Sequence, residues 1–304
     1  MTETRFTGSI TAMATPFNDD GTLAVGDLQK FVEQQISGGI QGLLPMGTTG
    51  ESPTLNHEEH GEVVEIVVET ADGRLPVIAG SGSNSTREAI SLTKHADAAG
   101  ADGTLHVTGY YNKPTQEGIF QHFSAIAQET DKPIILYSIP GRCIVDISIA
   151  TVERLLSKHP NISHIKESGG EVSRVDELKS ALGDDITVLS GDDGLTLSFI
   201  ASGADGVISV ASNVLPAEVT KLVTTALSGD LKRASEVHRK LYPLFRDLFI
   251  EPSPVPVKIC LKKLEIFSTD RVRLPLCSAS PENRQSILES LSTVIPNANA
   301  NQID

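Results

Sequence analysis

The sequence predicts an α/β fold: a (β/α)8 TIM barrel of eight parallel strands, followed by a C-terminal helical extension. Three observations predict it. Short apolar runs alternate with helical patterns along most of the chain, an order that favours right-handed parallel crossovers and a closed sheet. A glycine-based loop recurs between helices and strands. The length of 304 residues suits an α/β barrel of ~250 residues with additions.

The predicted strands are eight short apolar runs bounded by glycine or polar residues. They span residues 9–13, 42–44, 76–79, 103–107, 134–137, 162–166, 187–190 and 207–209. Residues 39–44, 100–105 and 203–208 share one form, in which a glycine ends a helix and a strand starts at a second glycine. The alternative to an internal repeat is that ordinary αβ loops share this glycine pattern. Three such loops would still indicate repeated βα units.

Side chains mark two of the predicted helix starts. Asn56 with Glu59, and Ser85 with Glu88, have the spacing of a capping box. In this motif the first side chain accepts from a backbone N–H of the helix, and the acidic side chain accepts from the backbone N–H of the first residue. Helices are therefore expected to begin just after Asn56 and Ser85.

The chain is predicted to be wholly helical after Pro216. Helices are expected near residues 216–227 and 231–249; Pro252, Pro254 and Pro256 then break the chain, and two more helices follow. We therefore divide the sequence into a barrel, residues 1–227, and a helical extension, residues 228–304. The extension could cover one end of the barrel or build an oligomer interface.

Composition excludes several classes of protein. A formal charge of −14 and a pI near 5.0 argue against nucleic acid and anionic membrane as partners. No apolar stretch approaches the ~18 residues that span a bilayer, and no signal peptide is visible at the first residues. Three cysteines do not make a disulfide framework and fit a reducing cytoplasm.

Residues 161–168 predict a buried strand that carries a lysine to the mouth of the barrel. Ile162, His164 and Lys166 share one face by the two-residue period of a strand. The carboxyl ends of barrel strands carry the chemistry in this fold, and burial lets a lysine lose its proton and attack a carbonyl. The alternative is a strand-end lysine whose ammonium group reaches water.

Polar loops follow the second and fourth predicted strands. Residues 47–51 read Gly-Thr-Thr-Gly-Glu, and the hydroxyls and backbone N–H groups of Thr48 and Thr49 can hold a carboxylate; a plain turn is the alternative. After the fourth strand, Tyr110 and Tyr111 are either packing or interface residues, or they include a phenol that relays protons.

The fifth predicted strand ends at Tyr137, and Arg142 follows in the next loop. Strands five and six of a sequential barrel lie ~4.8 Å apart, so Tyr137 and Lys166 are expected to be neighbours. The planar fork of Arg142 suits a carboxylate; a surface ion pair is the alternative.

Two acidic or histidine pairs are candidates for metal binding. Asp192 and Asp193 follow the seventh strand, and His57 and His60 share a helix face. Neither pair has a third ligand or a CxxC nearby, so we expect no metal and interpret the two aspartates as a solvated pair that caps a helix. Residues 80–84 have too few glycines for a dinucleotide-binding loop.

Together and in this order, the motifs resemble those of the pyruvate-dependent class I aldolases, the family of dihydrodipicolinate synthase and N-acetylneuraminate lyase. The resemblance runs from about Gly8 to at least Asn213, and the helical tail is similar in kind. The Gly-Thr-Thr-Gly-Glu turn and Lys166 are signals of the whole family, whereas Arg142 points to its synthase branch.

The resemblance implies the catalytic residues. Lys166 forms a Schiff base with pyruvate, and this covalent imine requires neither a separate cofactor nor a metal. Tyr137, Thr48 and Tyr111 form a proton relay, in which Tyr111 reaches the site of a neighbouring subunit. The protein is therefore expected to be a homo-oligomer, as a dimer of dimers.

The resemblance also implies how the ligands are held. Thr49, Gly191 and the backbone of Ile208 bind pyruvate, and Arg142 grips the carboxylate of aspartate semialdehyde. A second, regulatory site resembles the one that binds feedback-inhibiting L-lysine at a dimer interface. Its residues are Ser52, His57, His60, Asn84, Glu88 and Tyr110.

The expected activity is the condensation of pyruvate with L-aspartate 4-semialdehyde in the cytoplasm, the first committed step toward lysine and diaminopimelate. Gly109, Ser138 and the pair Cys143-Ile144 depart from the family pattern, and the last pair bears on the aldehyde pocket. Two alternatives remain open: a sister aldolase that cleaves N-acetylneuraminate or 2-keto-3-deoxygluconate, and a non-catalytic barrel that binds lysine.

Overall fold

Eight parallel strands form the barrel that the sequence predicts. The computed structural model describes residues 5–295, and the predicted polar tail beyond residue 295 lies outside them. The strands are β1 Gly8–Ala12, β2 Gly42–Leu44, β3 Ile78–Gly80, β4 Gly103–Val107, β5 Ile134–Ser138, β6 Ile162–Glu167, β7 Thr187–Ser190 and β8 Gly206–Ser209. Their order around the sheet is β2-β1-β8-β7-β6-β5-β4-β3, and a parallel bridge between Leu43 and Val77 joins the two ends.

Helices connect the strands and then continue beyond the last one. Along the chain they are α1 Val25–Ser37, α2 His57–Ala71, α3 Thr86–Ala99, α4 Gln116–Ala127, the short α5 Pro140–Cys143, α6 Ile149–Lys158, α7 Ser173–Leu182, α8 Thr196–Ala201, α9 Pro216–Leu227, α10 Leu231–Asp247, α11 Val255–Lys263 and α12 Pro281–Val294. No helix among residues 5–295 is long and apolar enough to cross a membrane.

The third strand starts two residues later than predicted. Pro76 has no N–H to give to a ladder, and its carbonyl instead accepts from Leu43 N at 2.9 Å. The strand runs on to Gly80, where a Cβ would lie 2.2 Å from the carbonyl oxygen of Met46. Only glycine fits at this close approach of two backbones.

One of the two predicted capping boxes is present. At the start of α2, Asn56 Oδ1 accepts from Glu59 N at 2.9 Å, and Glu59 Oε2 accepts from Asn56 N at 3.0 Å. Helix α3 begins just after Ser85 as predicted, but the box there is incomplete because the carboxylate of Glu88 turns away from Ser85. Ser85 Oγ still accepts from Glu88 N, at 3.5 Å, but Glu88 bonds to His57 instead.

The strands are buried, apart from the partly exposed Val107 at the end of β4, because helices cover the outside and side chains fill the inside. At the amino end of the barrel, the Phe6 ring packs 5.2 Å from the ring of His164. Phe6 N donates to His164 Nε2 at 2.9 Å, and burial lowers the pKa of His164 to about 4. This histidine is therefore a neutral acceptor in the floor of the barrel.

The helices after α9 pack on the barrel as well as on one another. Helix α10 contacts α8, α9 and α12, and α11 contacts α12 and the turn that follows β8. Buried side chains of these helices, such as Leu244 and Cys260, belong to the same apolar cluster as Phe31 of α1 and Val67 of α2. Pro256 does not break the chain as predicted, since it lies in the first turn of α11, where its missing N–H has no partner to lose.

Candidate active site

Lys166 lies at the carboxyl end of β6 beside Tyr137 of β5. The parallel register pairs the two residues directly, and Lys166 Nζ lies 4.3 Å from the centre of the Tyr137 ring. Only 6% of the Lys166 surface is exposed, so its amine does not reach out into water. Burial lowers the pKa of Lys166 to about 7; the charge of Asp193 opposes this shift and that of Arg142 adds to it.

The Tyr137 phenol is also buried, with 6% of its surface exposed. Burial raises its pKa to about 12, and the nearby Ser168 hydroxyl offsets part of the rise. The phenol is therefore protonated at neutral pH and can donate a proton or a hydrogen bond. A neutral amine and a protonated phenol side by side are what imine formation needs.

A cavity of about 510 Å³ opens above these two residues. Six of the residues predicted to act in catalysis or substrate binding line it together: Thr48, Thr49, Tyr137, Arg142, Lys166 and Gly191. Phe249, Pro252 and Ser253 line the same cavity from the segment between α10 and α11. The buried Ser253 hydroxyl has no hydrogen-bond partner in the described part of the chain, so it is available to a ligand. The extension therefore supplies part of the wall.

Two predicted residues lie outside this cavity. Ile208 is fully buried in the apolar interior of the barrel and does not line the cavity, whereas Val210 does. Tyr111 is 92% exposed and adopts φ +67°. A single chain therefore does not bring the Tyr111 phenol to Lys166.

The interpretation of Asp193 as a solvated residue is wrong. Only 2% of its surface is exposed, and its carboxylate accepts from Ser209 Oγ at 2.5 Å and from the N–H groups of Val210 and Ala211 at 3.0 and 2.9 Å. Burial raises its pKa to about 6. Asp192 does cap a turn, since its Oδ1 accepts from Gly194 N at 2.8 Å.

A second cavity of about 400 Å³ contains most of the predicted regulatory residues. Ser52, His57, His60, Glu88 and Tyr110 line it, but Asn84 does not. Asn84 instead donates from Nδ2 to the carbonyl of Tyr110 at 3.2 Å.

Polar contacts organise the wall of this second cavity. His57 Nε2 donates to Glu88 Oε1 at 2.7 Å, and the Ser83 hydroxyl donates to the other carboxylate oxygen. These two bonds, the one from Ser83 first, lower the pKa of Glu88. His60 donates from Nε2 to the carbonyl of Gly80 at 2.9 Å, and burial lowers its pKa. The wall therefore presents one carboxylate beside two imidazoles.

The two cavities share a wall. Thr48, Ile139 and Arg142 line both of them. A molecule in the second cavity therefore contacts side chains that a substrate in the first cavity also contacts.

No group of three histidine, cysteine, aspartate or glutamate side chains within residues 5–295 is arranged to hold a metal ion. The pairs His57 with His60 and Asp192 with Asp193 thus have no third ligand in the described structure.

Comparison with known proteins identifies the family. Residues 5–294 match the model of the dihydrodipicolinate synthetase family. The chain belongs to this family. It is 49% identical to the 4-hydroxy-tetrahydrodipicolinate synthase of Aquifex aeolicus, over 94% of this chain and 97% of that protein.

Two solved structures of family members carry ligands. The dihydrodipicolinate synthase of Acinetobacter baumannii, solved with pyruvate, superposes with a TM-score of 0.93 at 42% identity and covers 95% of this chain and 99% of that one. The enzyme of Cyanidioschyzon merolae, solved with lysine bound, superposes with a TM-score of 0.92 at 36% identity, over 95% and 98% of the two chains.

One contact in this dihydrodipicolinate synthetase family chain was not predicted from its sequence. The carboxylate of Glu51, the last residue of the Gly-Thr-Thr-Gly-Glu turn, pairs with Lys258 of α11 at 2.5 Å, and neither side chain is exposed. Lys258 is a charged residue inside an otherwise apolar helix face, Val255 to Leu261. This isolated charge is the feature of the sequence that indicates a buried ion pair, but it does not indicate that Glu51 is the partner.

Proposed function

We propose that the protein condenses pyruvate with L-aspartate 4-semialdehyde to form 4-hydroxy-tetrahydrodipicolinate, and that the reaction runs through a Schiff base on Lys166. One observation carries the proposal: a buried lysine with a pKa of about 7 lies 4.3 Å from the ring of Tyr137 in an open cavity. The family membership and the relatives named above support the choice of substrates.

The reaction begins when neutral Lys166 Nζ attacks the C2 carbonyl of pyruvate and forms a carbon–nitrogen bond. The oxygen is then protonated and leaves as water, which gives the imine. The imine accepts electrons, so a C3 proton leaves and an enamine forms. The enamine carbon attacks the aldehyde of the second substrate, and attack of its amino group on the imine carbon closes the ring and releases Lys166. No dissociable cofactor takes part.

Tyr137 and Thr48 are proposed to move the protons in these steps. The protonated phenol of Tyr137 supplies the proton that lets water leave, and the Thr48 hydroxyl links the phenol to the cavity mouth, which both residues line. Tyr111 is proposed to complete the relay from a neighbouring subunit. Its 92% exposure leaves the ring available to a second copy of the chain.

The two substrate carboxylates are proposed to bind to different side chains of the cavity. Thr49 holds the carboxylate of pyruvate, and Gly191 leaves room beside Lys166; Ile208 is not included, because it does not line the cavity. The guanidinium of Arg142, which lines the same cavity, holds the carboxylate of aspartate semialdehyde through a bidentate pair. This role of Arg142 favours the synthase over a sister aldolase that cleaves a sugar acid, which would use hydroxyl-binding groups there.

Trapping with borohydride tests the central step. Pyruvate and borohydride are expected to leave a stable adduct on Lys166 in the wild-type chain and none in Lys166→Ala, as read by intact mass and peptide mapping. Lys258 is the internal control, since it is also buried but does not line the cavity, and its peptide is expected to stay unmodified. An adduct that persists in Lys166→Ala would contradict the assignment.

A coupled assay with both substrates separates the candidate functions. Turnover of pyruvate with aspartate semialdehyde supports the synthase, whereas cleavage of N-acetylneuraminate or 2-keto-3-deoxygluconate supports the sister aldolase. L-Lysine binding without any turnover would leave only the non-catalytic barrel.

The second cavity is proposed to bind L-lysine as a feedback inhibitor. The carboxylate of Glu88 suits an ammonium group, and Tyr110 and Ser52 offer polar contacts at the same wall. The lysine-bound structure of a relative supports this proposal. Titration calorimetry with L-lysine tests it, with L-alanine as the control ligand, and equal heats for both would contradict it.

The proposed assembly is a homo-oligomer, as a dimer of dimers, in the cytoplasm. The support for an oligomer is the exposed Tyr111 in a site that otherwise forms within one chain. The support for the compartment is that Cys143, Cys260 and Cys277 are all free thiols. Sedimentation of active enzyme checks the assembly, and an active monomer would contradict it.

A further inference from the structure

The ion pair between Glu51 and Lys258 joins the catalytic turn to the helical extension. Glu51 Oε1 lies 2.5 Å from Lys258 Nζ, and both side chains are fully buried. Taking two charges out of water is costly, and a buried pair often adds no net stability over apolar residues of the same size. Net stability therefore does not explain the pair, and we consider which parts of the structure it holds in place.

All remaining polar atoms of the pair are satisfied. Glu51 Oε2 accepts from the backbone N–H of Arg273 at 2.9 Å, and Lys258 Nζ donates to the carbonyl of Arg271 at 2.8 Å. Lys258 Nζ also lies 4.1 Å from the centre of the Phe17 ring, and the Arg273 guanidinium lies 4.3 Å from the same centre. One aromatic ring thus contacts two cations, which fixes the lysine in a single position.

The backbone of Glu51 closes the turn that carries Thr48 and Thr49. Glu51 N donates to the carbonyl of Thr48 at 3.1 Å. Glu51 also adopts φ +57°, a backbone conformation that is common for glycine but that, apart from asparagine and aspartate, L-residues seldom adopt. A glutamate holds this conformation only if its surroundings impose it. Thr54 donates to the carbonyl of Glu51 from N at 2.8 Å and from Oγ1 at 3.0 Å, and the Glu51 carboxylate is tied to Lys258 and Arg273.

Neither member of the pair touches the space where the reaction takes place. Glu51 and Lys258 line neither of the two cavities, whereas Thr48 lines both and Thr49 lines the larger one. An effect of the pair on catalysis therefore has to pass through the position of these two threonines.

We propose that Glu51 and Lys258 are positioning residues, and that their ion pair lets the helical extension hold Thr48 and Thr49 in place for pyruvate. The inference rests on the proposed function, because it assigns the threonines to pyruvate binding and proton transfer. Loss of the pair is expected to weaken pyruvate binding and to slow the proton-transfer steps. Binding of aspartate semialdehyde is expected to change little, since the proposed ligand of its carboxylate is Arg142 and not either threonine.

A set of variants that remove one or both charges of the pair separates positioning from stability. Glu51→Gln and Lys258→Met each leave one uncompensated buried charge and are expected to lower the thermal midpoint. The double variant Glu51→Gln with Lys258→Met removes both charges at similar volume and is expected to recover most of the thermal midpoint. It is nonetheless expected to retain at least a tenfold loss in kcat/KM for pyruvate, with little change in KM for aspartate semialdehyde.

The variant Glu51→Asp keeps the charge and provides a second test of the positioning role. It withdraws the carboxylate by one methylene, so the chain is expected to fold while the turn shifts, again with a loss in kcat/KM for pyruvate. Glu33→Gln is the matched control, since Glu33 pairs with Arg74 at 2.6 Å on the exposed surface, and we expect wild-type kinetics from it.

The outcomes distinguish this inference from the proposed function. A wild-type chain that forms no pyruvate adduct with borohydride defeats the proposed function and the inference with it. A wild-type chain that forms the adduct, together with a double variant and a Glu51→Asp variant of wild-type kcat/KM, overturns the inference alone. An equal rise in KM for both substrates also overturns it, because that result indicates general loosening of the barrel.

Discussion

The pKa of Lys166 gives a sharp prediction for the pH dependence of imine formation. The attacking species is the neutral amine, so the rate of attack on pyruvate follows the deprotonated fraction. A pKa of about 7 leaves roughly half of the Lys166 amines neutral at pH 7, against roughly one in 3,000 for a lysine with its ordinary pKa. The difference is worth about 5 kcal/mol in the free energy of deprotonation.

The sign of the effect follows from the burial of the amine. Burial disfavours the ammonium form, so the rate is expected to be flat above about pH 8 and to fall about tenfold per pH unit below pH 6. Arg142 also lowers the pKa of Lys166, so Arg142→Met is expected to move the midpoint to higher pH. The assay needs only pyruvate, so the loss of Arg142 as a ligand for the second substrate does not affect the measured rate.

The assay is the rate of borohydride trapping with saturating pyruvate between pH 5.5 and 10, measured by intact mass after quenching. The same assay on Lys166→Ala provides the control for trapping at other lysines. A midpoint above pH 9 would refute the reasoning, because it would mean that the amine is hydrated and that burial does not tune it. An unchanged midpoint in Arg142→Met would refute the contribution of the guanidinium.

Three further predictions follow from single contacts. Gly191→Ala places a Cβ 1.8 Å from Ser168 Oγ and 2.9 Å from Lys166 Cε, so kcat/KM is expected to fall about a hundredfold in the coupled assay, while Gly26→Ala, which meets nothing within 4 Å, keeps wild-type values. Lys166→Met removes an amine that at pH 8 is mostly neutral in the folded chain but protonated in the unfolded chain. The free energy of unfolding at pH 8 is therefore expected to rise by about 3 kcal/mol. Denaturant curves that show no gain in stability would contradict this prediction. Glu88→Gln removes the carboxylate of the second cavity, so inhibition by L-lysine is expected to weaken at least tenfold without loss of basal kcat; Glu65→Gln, which breaks the exposed pair with His95, is the control.

Local patterns were sufficient to predict the barrel and much of its mouth. Strand period and the order of elements placed Tyr137 beside Lys166, and the register confirms it. The prediction worked because adjacent parallel strands have a fixed spacing and direction. The first capping box was predictable for the same reason, since its two partners are three residues apart.

Contacts between distant parts of the chain could not be predicted in this way. The carboxylate of Asp193 was interpreted as solvated because two adjacent aspartates usually face water, but its partners, Ser209 to Ala211, lie on another strand end. Glu51 and Lys258 are 207 residues apart, and no spacing rule connects them. Burial of a charge depends on which groups meet in three dimensions, and one sequence does not contain that information locally.

The wall shared by the two cavities has a consequence for inhibitor design. Because Thr48 and Arg142 face both spaces, a compound built into the second cavity can push on the substrate-binding side chains from behind. Such a compound needs no keto acid of its own and avoids competition with pyruvate. Two ligand groups, one for each cavity, would contact Thr48 and Arg142 from two sides, and a linker long enough to join them would add the affinity of one group to that of the other.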